Sequence, residues 1–330
     1  MELMVNLSRT TLRGLATAGV LAGFAATLVL PAQAAQTSGS AATAATAGSV
    51  STAATQAAAT PKPILLDGTG MVAGPPPAGE GLTTKASTTN VVRYNRLYKT
   101  GPITPSKCKE VNVSLRTHAG VVAYDTQLFK CIYASWALPL KQAGAAYKVA
   151  PRLIFHQSSA VNSPCGVVRG GTAFYCGYGN GLLYIPTYTV TNFWKQSPTF
   201  ARAYATNTLS HEYGHHVQFL TGILGASWQR QRAISTYAGQ MEESRRRELQ
   251  ASCLGSADIG ANKRYYPMSG GLYQQWVYLV QHSGDQSGGA RDHGSMKNHG
   301  WWSQAGFYAA SSKTYAGRCN TFNAASSAVS

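Results

Sequence analysis

Five consecutive residues, His211-Glu212-Tyr213-Gly214-His215, carry the strongest chemical signal in this sequence. On a helix the i, i+4 spacing points both imidazoles at one metal ion and leaves Glu212 beside that metal without binding it. A zinc ion held this way polarises a bound water and the neighbouring carboxylate takes its proton, which gives a nucleophile able to attack a peptide carbonyl at neutral pH. Thr206 to Leu220 reads as one uninterrupted helix, apolar toward Val217, Phe219 and Leu220, with Gly222 as its stop. Gly214 costs such a helix about 1 kcal/mol relative to alanine, and makes sense only where something approaches the backbone closely. The competing reading is a surface helix that carries three histidines.

Two histidines and a water leave a catalytic zinc one protein donor short. The extended HExxHxxGxxH arrangement needs Gly at 218 and His at 221, but this chain has Gln218 and Thr221, so that class is excluded. The carboxylates downstream of His215 are Glu242, Glu243, Glu248, Asp258, Asp285 and Asp292. A second helix is expected from Trp228 to Cys253, with apolar or small positions at Ile234, Tyr237, Ala238, Met241, Leu249 and Ser252. Glu248 falls on that stripe, close to four turns after Ile234, where an unpaired charge is very costly and a metal would compensate it. Glu242 and Glu243 fall on an Arg-rich face with Arg232, Arg246 and Arg247, expected to be solvated.

HEYGHHVQ followed by Arg246-Arg247-Glu248-Leu249-Gln250-Ala251-Ser252-Cys253 resembles the putative neutral zinc metallopeptidase family of bacteria. Ser163-Pro164-Cys165-Gly166, Phe174-Tyr175-Cys176 and Leu183-Tyr184-Ile185 look like that family's segment before the active helix. His293-Gly294-Ser295, Trp302 and Gly306-Phe307 look like its C-terminal segment, so the likeness runs over roughly residues 150 to 310. The resemblance implies that His211, His215 and Glu248 are zinc ligands and that Glu212 is the general base and later proton donor, as in thermolysin-like enzymes. Family members tend to have Asp where this chain has Ser252, one turn after Glu248. Such an aspartate accepts the ring proton of a ligand histidine; its loss implies metal affinity or activity lower by on the order of 10 to 100-fold if nothing substitutes. His293, in a Gly-rich polar loop with His299 nearby, is the first candidate to stabilise the oxyanion.

Residues 1–34 read as a signal peptide: Arg9 and Arg13 precede the apolar Leu15 to Leu30, and Ala32-Gln33-Ala34 offers a cleavage site. That run is short for a membrane span, so the mature form is expected to have none. Residues 35–90, first Ala, Thr, Ser and Gly and then Pro and Gly, read as a disordered linker or propeptide, and 91–330 as one metallopeptidase domain. The six cysteines all lie in that domain, and with a signal peptide they imply disulfides. Proximity suggests Cys108 with Cys131, Cys165 with Cys176 and Cys253 with Cys319.

The chain has 28 basic and 12 acidic residues and a formal charge of +16; removing Arg9, Arg13 and Glu2 with the signal leaves about +15. Such a charge favours anionic surfaces such as cell-wall polymers without selecting among them. The arginines at 230, 232 and 245–247 read as a solvated helical face, and no nucleic-acid motif is present.

The expected fold is α+β, a mainly helical zincin-like core with a small upstream sheet. Its strands are expected at Val111 to Val122, Leu153 to Phe155, Phe174-Tyr175 and Leu182 to Tyr188, with a helix over Ala134 to Tyr147 broken near Pro139. Apolar helical segments follow at Gly271 to His282 and Gly300 to Ala310. A sheet edge near the metal, lined by Tyr175, Tyr184 and Tyr188, would hold an extended peptide. The leading expectation is a secreted, extracellular zinc-dependent endopeptidase, a monomer acting on a protein or peptide substrate. A secreted binding protein on a degenerate peptidase scaffold and a zinc-dependent cell-wall amidase are the alternatives.

Overall fold

Side-chain caps decide where the long helices begin. Thr117 accepts a hydrogen bond from the Gly120 N–H and starts α2 (His118–Ala143), Ser197 accepts from Phe200 ahead of Pro198 and starts α4 (Pro198–Leu220), and Thr236 accepts from Gly239 and starts α6 (Tyr237–Asn262). The computed structural model describes residues 87–266, 268–286, 289–311 and 316–330. The expected signal peptide and nearly all of the expected linker lie outside the described residues. Helix α1 (Thr88–Arg93) begins just before the expected edge of the folded part.

The remaining elements are β1 (Arg152–His156), β2 (Ala160–Ser163), β3 (Gly166–Arg169), β4 (Phe174–Cys176), β5 (Leu182–Pro186), α3 (Thr187–Gln196), α5 (Ile223–Ala233), α7 (Gly270–Gln281) and α8 (Met296–Ser311). This is an α+β fold, mainly helical. One sheet has the order β1-β5-β4, with β1 parallel and β4 antiparallel to β5; β2 and β3 form a separate antiparallel hairpin. Trp136, Tyr124, Leu140, Leu183, Tyr213 and Leu254 are among the side chains that join helices and sheet in one core.

Two upstream expectations are corrected. Val111 to Val122 is no strand: Val111, Val113 and Leu115 do turn against the core, but without a neighbouring ladder, and Val121 and Val122 belong to α2. Nor does Pro139 break a helix. It costs α2 one hydrogen bond, while Trp136, Pro139 and Leu140 are buried and hold the helix together until Gly144 ends it at φ 74°.

The helix expected from Trp228 to Cys253 is two helices, α5 and α6, with a break at Ile234 to Thr236 where Thr236 caps the second. Ile234 therefore shares no helix with Glu248, and the N-terminal end of the expected apolar stripe is largely exposed, Tyr237 being 68% accessible. The Arg-rich face is solvated only in part: Arg232 is exposed and Glu242, partly exposed, makes the expected pair with Arg246 one turn on, but the rest is internal. Glu243 is buried and bound by Arg230 at 3.0 and 3.1 Å. Arg246 donates to the Thr321 and Ala324 carbonyls, and Arg247 lies 4.1 Å over the Trp228 ring and donates to Ser227, Gln231 and Ser244. From Glu243 to Gly260 almost every side chain of α6 is buried, which marks a central helix rather than an amphipathic one.

All three proximity pairings of cysteine are present as disulfides: Cys108–Cys131, Cys165–Cys176 and Cys253–Cys319. Among the described residues no helix is long and apolar enough to cross a membrane.

Candidate metal centre

Helices α4 and α6 cross with their backbones almost touching. A Cβ on Gly214 would lie 2.4 Å from the Ala251 carbonyl oxygen, and one on Gly255 would lie 2.5 Å from the Ser210 carbonyl oxygen. The glycine inside the motif is thus explained by the partner helix. The crossing brings Glu248 to the two histidines of α4. Glu248 Oε2 lies 3.0 Å from His215 Nε2 and 3.6 Å from His211 Nε2, and ligand atoms of the three residues lie within 4.8 Å of one another. All three are buried.

Each histidine is held through its other ring nitrogen. His215 Nδ1 is 2.9 Å from Gln218 Oε1, and the Gln218 amide nitrogen donates to the Arg247 carbonyl at 2.8 Å and to Gln250 Oε1 at 3.0 Å. A backbone carbonyl only accepts, so it fixes which end of the Gln218 amide faces the histidine. His215 therefore carries its proton on Nδ1 and presents a lone pair at Nε2. His211 Nδ1 is 2.9 Å from Ser252 Oγ, which is 3.0 Å from His299 Nε2; His299 Nδ1 in turn lies 2.9 Å from the Val280 carbonyl.

Burial pushes the His211 pKa down to about 3, with Glu248 opposing and His215 adding, so its ring is neutral. Burial alone would raise the Glu248 pKa, but His215, His211 and His293 together hold it well below the ordinary carboxylate range. Burial raises the Glu212 pKa well above its usual value; the Glu248 charge adds to this, and His293 and the Tyr175 backbone oppose it. His293 thus acts on both carboxylates through its charge. Its Nδ1 is 2.6 Å from Asp292 Oδ1, and its backbone N–H donates to Asp285 at 2.8 Å.

The donor set suits zinc: two imidazole nitrogens and one carboxylate. His211 Nε2 and both carboxylate oxygens of Glu212 are buried and have no hydrogen-bonding side chain within 3.5 Å, as expected where a cation and a water complete the site. The geometry brings His211, His215 and Glu248 together with Glu212 next to His211 in the helix, while His293 groups with Asp285 and Asp292. Tyr175 and Tyr184 do not line a peptide groove: both are buried, Tyr175 with its hydroxyl 3.0 Å from His216 Nδ1 and Tyr184 stacked on Phe174. Tyr188 is half-buried beside Gly171.

Gln218 and His299 escape sequence reasoning as parts of the site. The spacing of Gln218, three residues after His215 and so on the same helical face, was a usable signal; His299, on a different helix, offered none.

Residues 107–266 match the family model described as putative neutral zinc metallopeptidase. The match starts further upstream than the likeness seen in the motifs and ends before His293, so the C-terminal likeness lies outside it. No curated protein and no solved structure matches the chain.

Proposed function

The chain belongs, through residues 107–266, to the putative neutral zinc metallopeptidase family, and from that premise we propose that it is a secreted zinc-dependent endopeptidase. Its metal ligands are His211, His215 and Glu248. The observation that carries this reading is the convergence of those three ligand atoms within 4.8 Å, next to a buried carboxylate with no side-chain partner. Zinc, when bound, supplies the Lewis acidity that polarises a carbonyl and makes a water acidic.

The protein side chains do the rest. Glu212, with its raised pKa, takes the proton of the attacking water and returns it to the leaving amine. His293, held by Asp292, faces the same region and donates to the developing oxyanion. Among the described residues strand β4 pairs with β5 alone; it is buried along its length, and its backbone at Tyr175 runs close to Glu212. Three disulfides fit an oxidising, extracellular location, and the positive charge favours anionic cell-wall polymers as a surface partner.

Replacing Glu212 by Gln tests the mechanism. Casein hydrolysis should fall by about 10²–10⁴-fold, as expected for loss of a general base, with zinc content unchanged. Undiminished hydrolysis would overturn the assignment. Comparing casein with peptidoglycan fragments separates a peptidase from a cell-wall amidase, and a binding protein would keep its function in the variant.

A further inference from the structure

Ser252 poses a chemical problem. A carboxylate at this position could only accept, and would hold the proton of His211 on Nδ1. A hydroxyl both donates and accepts. Left to itself, Ser252 could donate to His211 Nδ1 instead, which would put the ring proton on Nε2, the atom that must bind metal. Something else has to orient the hydroxyl.

We propose that His299 does so: acting through Ser252, it fixes the tautomer of His211. The direction is set at the far end of the chain. The Val280 carbonyl can only accept, so His299 donates from Nδ1 at 2.9 Å, and its Nε2 is left as an acceptor. Ser252 then donates to His299 Nε2 at 3.0 Å, and its lone pairs face His211 Nδ1 at 2.9 Å. His211 must donate there, and its Nε2 keeps a lone pair for the metal. Each link is buried, so no water competes for the hydrogen bonds. Burial also pushes the His299 pKa down to about 4, which keeps the ring neutral and its Nε2 accepting at neutral pH.

The arrangement has the same logic as the Gln218 link to His215: in both, a backbone carbonyl sets the polarity of a polar side chain that sets the tautomer of a ligand. His299 is thus a positioning residue that touches neither substrate nor metal. The inference rests on the metal-site reading above and deepens it.

The test uses the full chain, with His211 followed by imidazole ¹⁵N NMR on the metal-free protein and Zn²⁺ affinity measured by chelator competition. His299→Phe keeps the ring but removes the acceptor. It should move the His211 ¹⁵N shifts toward the Nε2–H tautomer and weaken zinc binding by on the order of 10 to 100-fold. His299→Gln, which restores an acceptor, should stay close to wild type. Adding Ser252→Asp to His299→Phe should restore both readouts, because a carboxylate needs no orienting partner. If His299→Phe does not fold, Ser252→Ala breaks the same chain and should give the same loss of affinity. Unchanged His211 shifts with wild-type zinc affinity in the folded variants would overturn the inference. A wild-type chain that binds no zinc would instead overturn the metallopeptidase reading, while the NMR readout would still decide the tautomer.

Discussion

At the scale of single residues, the most informative comparison is between Glu248 and Glu243. Both are buried acids on one helix, but Glu243 is matched by the Arg230 guanidinium through two hydrogen bonds, whereas Glu248 faces two imidazole nitrogens, with Arg247 Nε 3.6 Å away on its other side. Glu243 is therefore a structural ion pair and Glu248 a ligand candidate. Glu248→Gln keeps the shape and removes the charge. Elemental analysis of the purified protein should find stoichiometric zinc in the wild type and a sharp drop in the variant; zinc unchanged by the substitution would exclude Glu248 as third ligand. The sequence made His211, Glu212 and His215 legible because one helical turn is a local rule. The burial of Arg246 and Arg247 was not legible, because their acceptors lie up to 78 residues away in sequence.

At the scale of elements, the site depends on how closely α4 and α6 cross. Gly214→Ala should favour helix formation locally by about 1 kcal/mol, yet its Cβ would meet the Ala251 backbone, which cannot move without shifting α6. Overpacking of this kind costs about 1–3 kcal/mol. The expected result is a net loss of stability in denaturant titration together with weaker zinc binding, since Glu248 sits one turn before Ala251. Gly271→Ala in α7 is the control, because a Cβ there meets nothing within 4 Å and should be neutral or stabilising. The break between α5 and α6 also belongs to this scale. Apolar spacing carried the expected helix straight through Ile234, but the cap at Thr236 restarts it, and a periodic pattern alone does not reveal which of two consistent helices ends.

For the whole molecule, stability should depend on pH through carboxyls far from the metal site. Burial raises the Asp258 pKa to about 7, with Ser135 and Asn262 opposing, and burial alone raises that of Asp125 well above its usual value. A carboxyl whose folded pKa is raised contributes fully below its unfolded value, near 3.8, and its contribution is lost as pH rises through the folded value. Asp258→Asn should therefore gain in Tm relative to wild type progressively between pH 4 and about 7. A Tm difference that is constant across that range would contradict the assignment. The three disulfides act at the same scale: Cys253–Cys319 ties the central helix to the C-terminal turns that also accept from Arg246.

What the sequence determined alone was mostly what short spacing governs: the His-Glu-Tyr-Gly-His turn, the mainly helical class, the β1, β4 and β5 strands, and the Cys108–Cys131 and Cys165–Cys176 disulfides. Only the tertiary structure decided which surfaces became interior. The arginines of α6 turned out to be internal ties, the glycine of the motif a contact point between helices, and Gln218 and, through Ser252, His299 the hydrogen-bond partners of the two motif histidines. These depend on which helices meet and at what distance, and that is set by packing across the whole core rather than by any local run of residues.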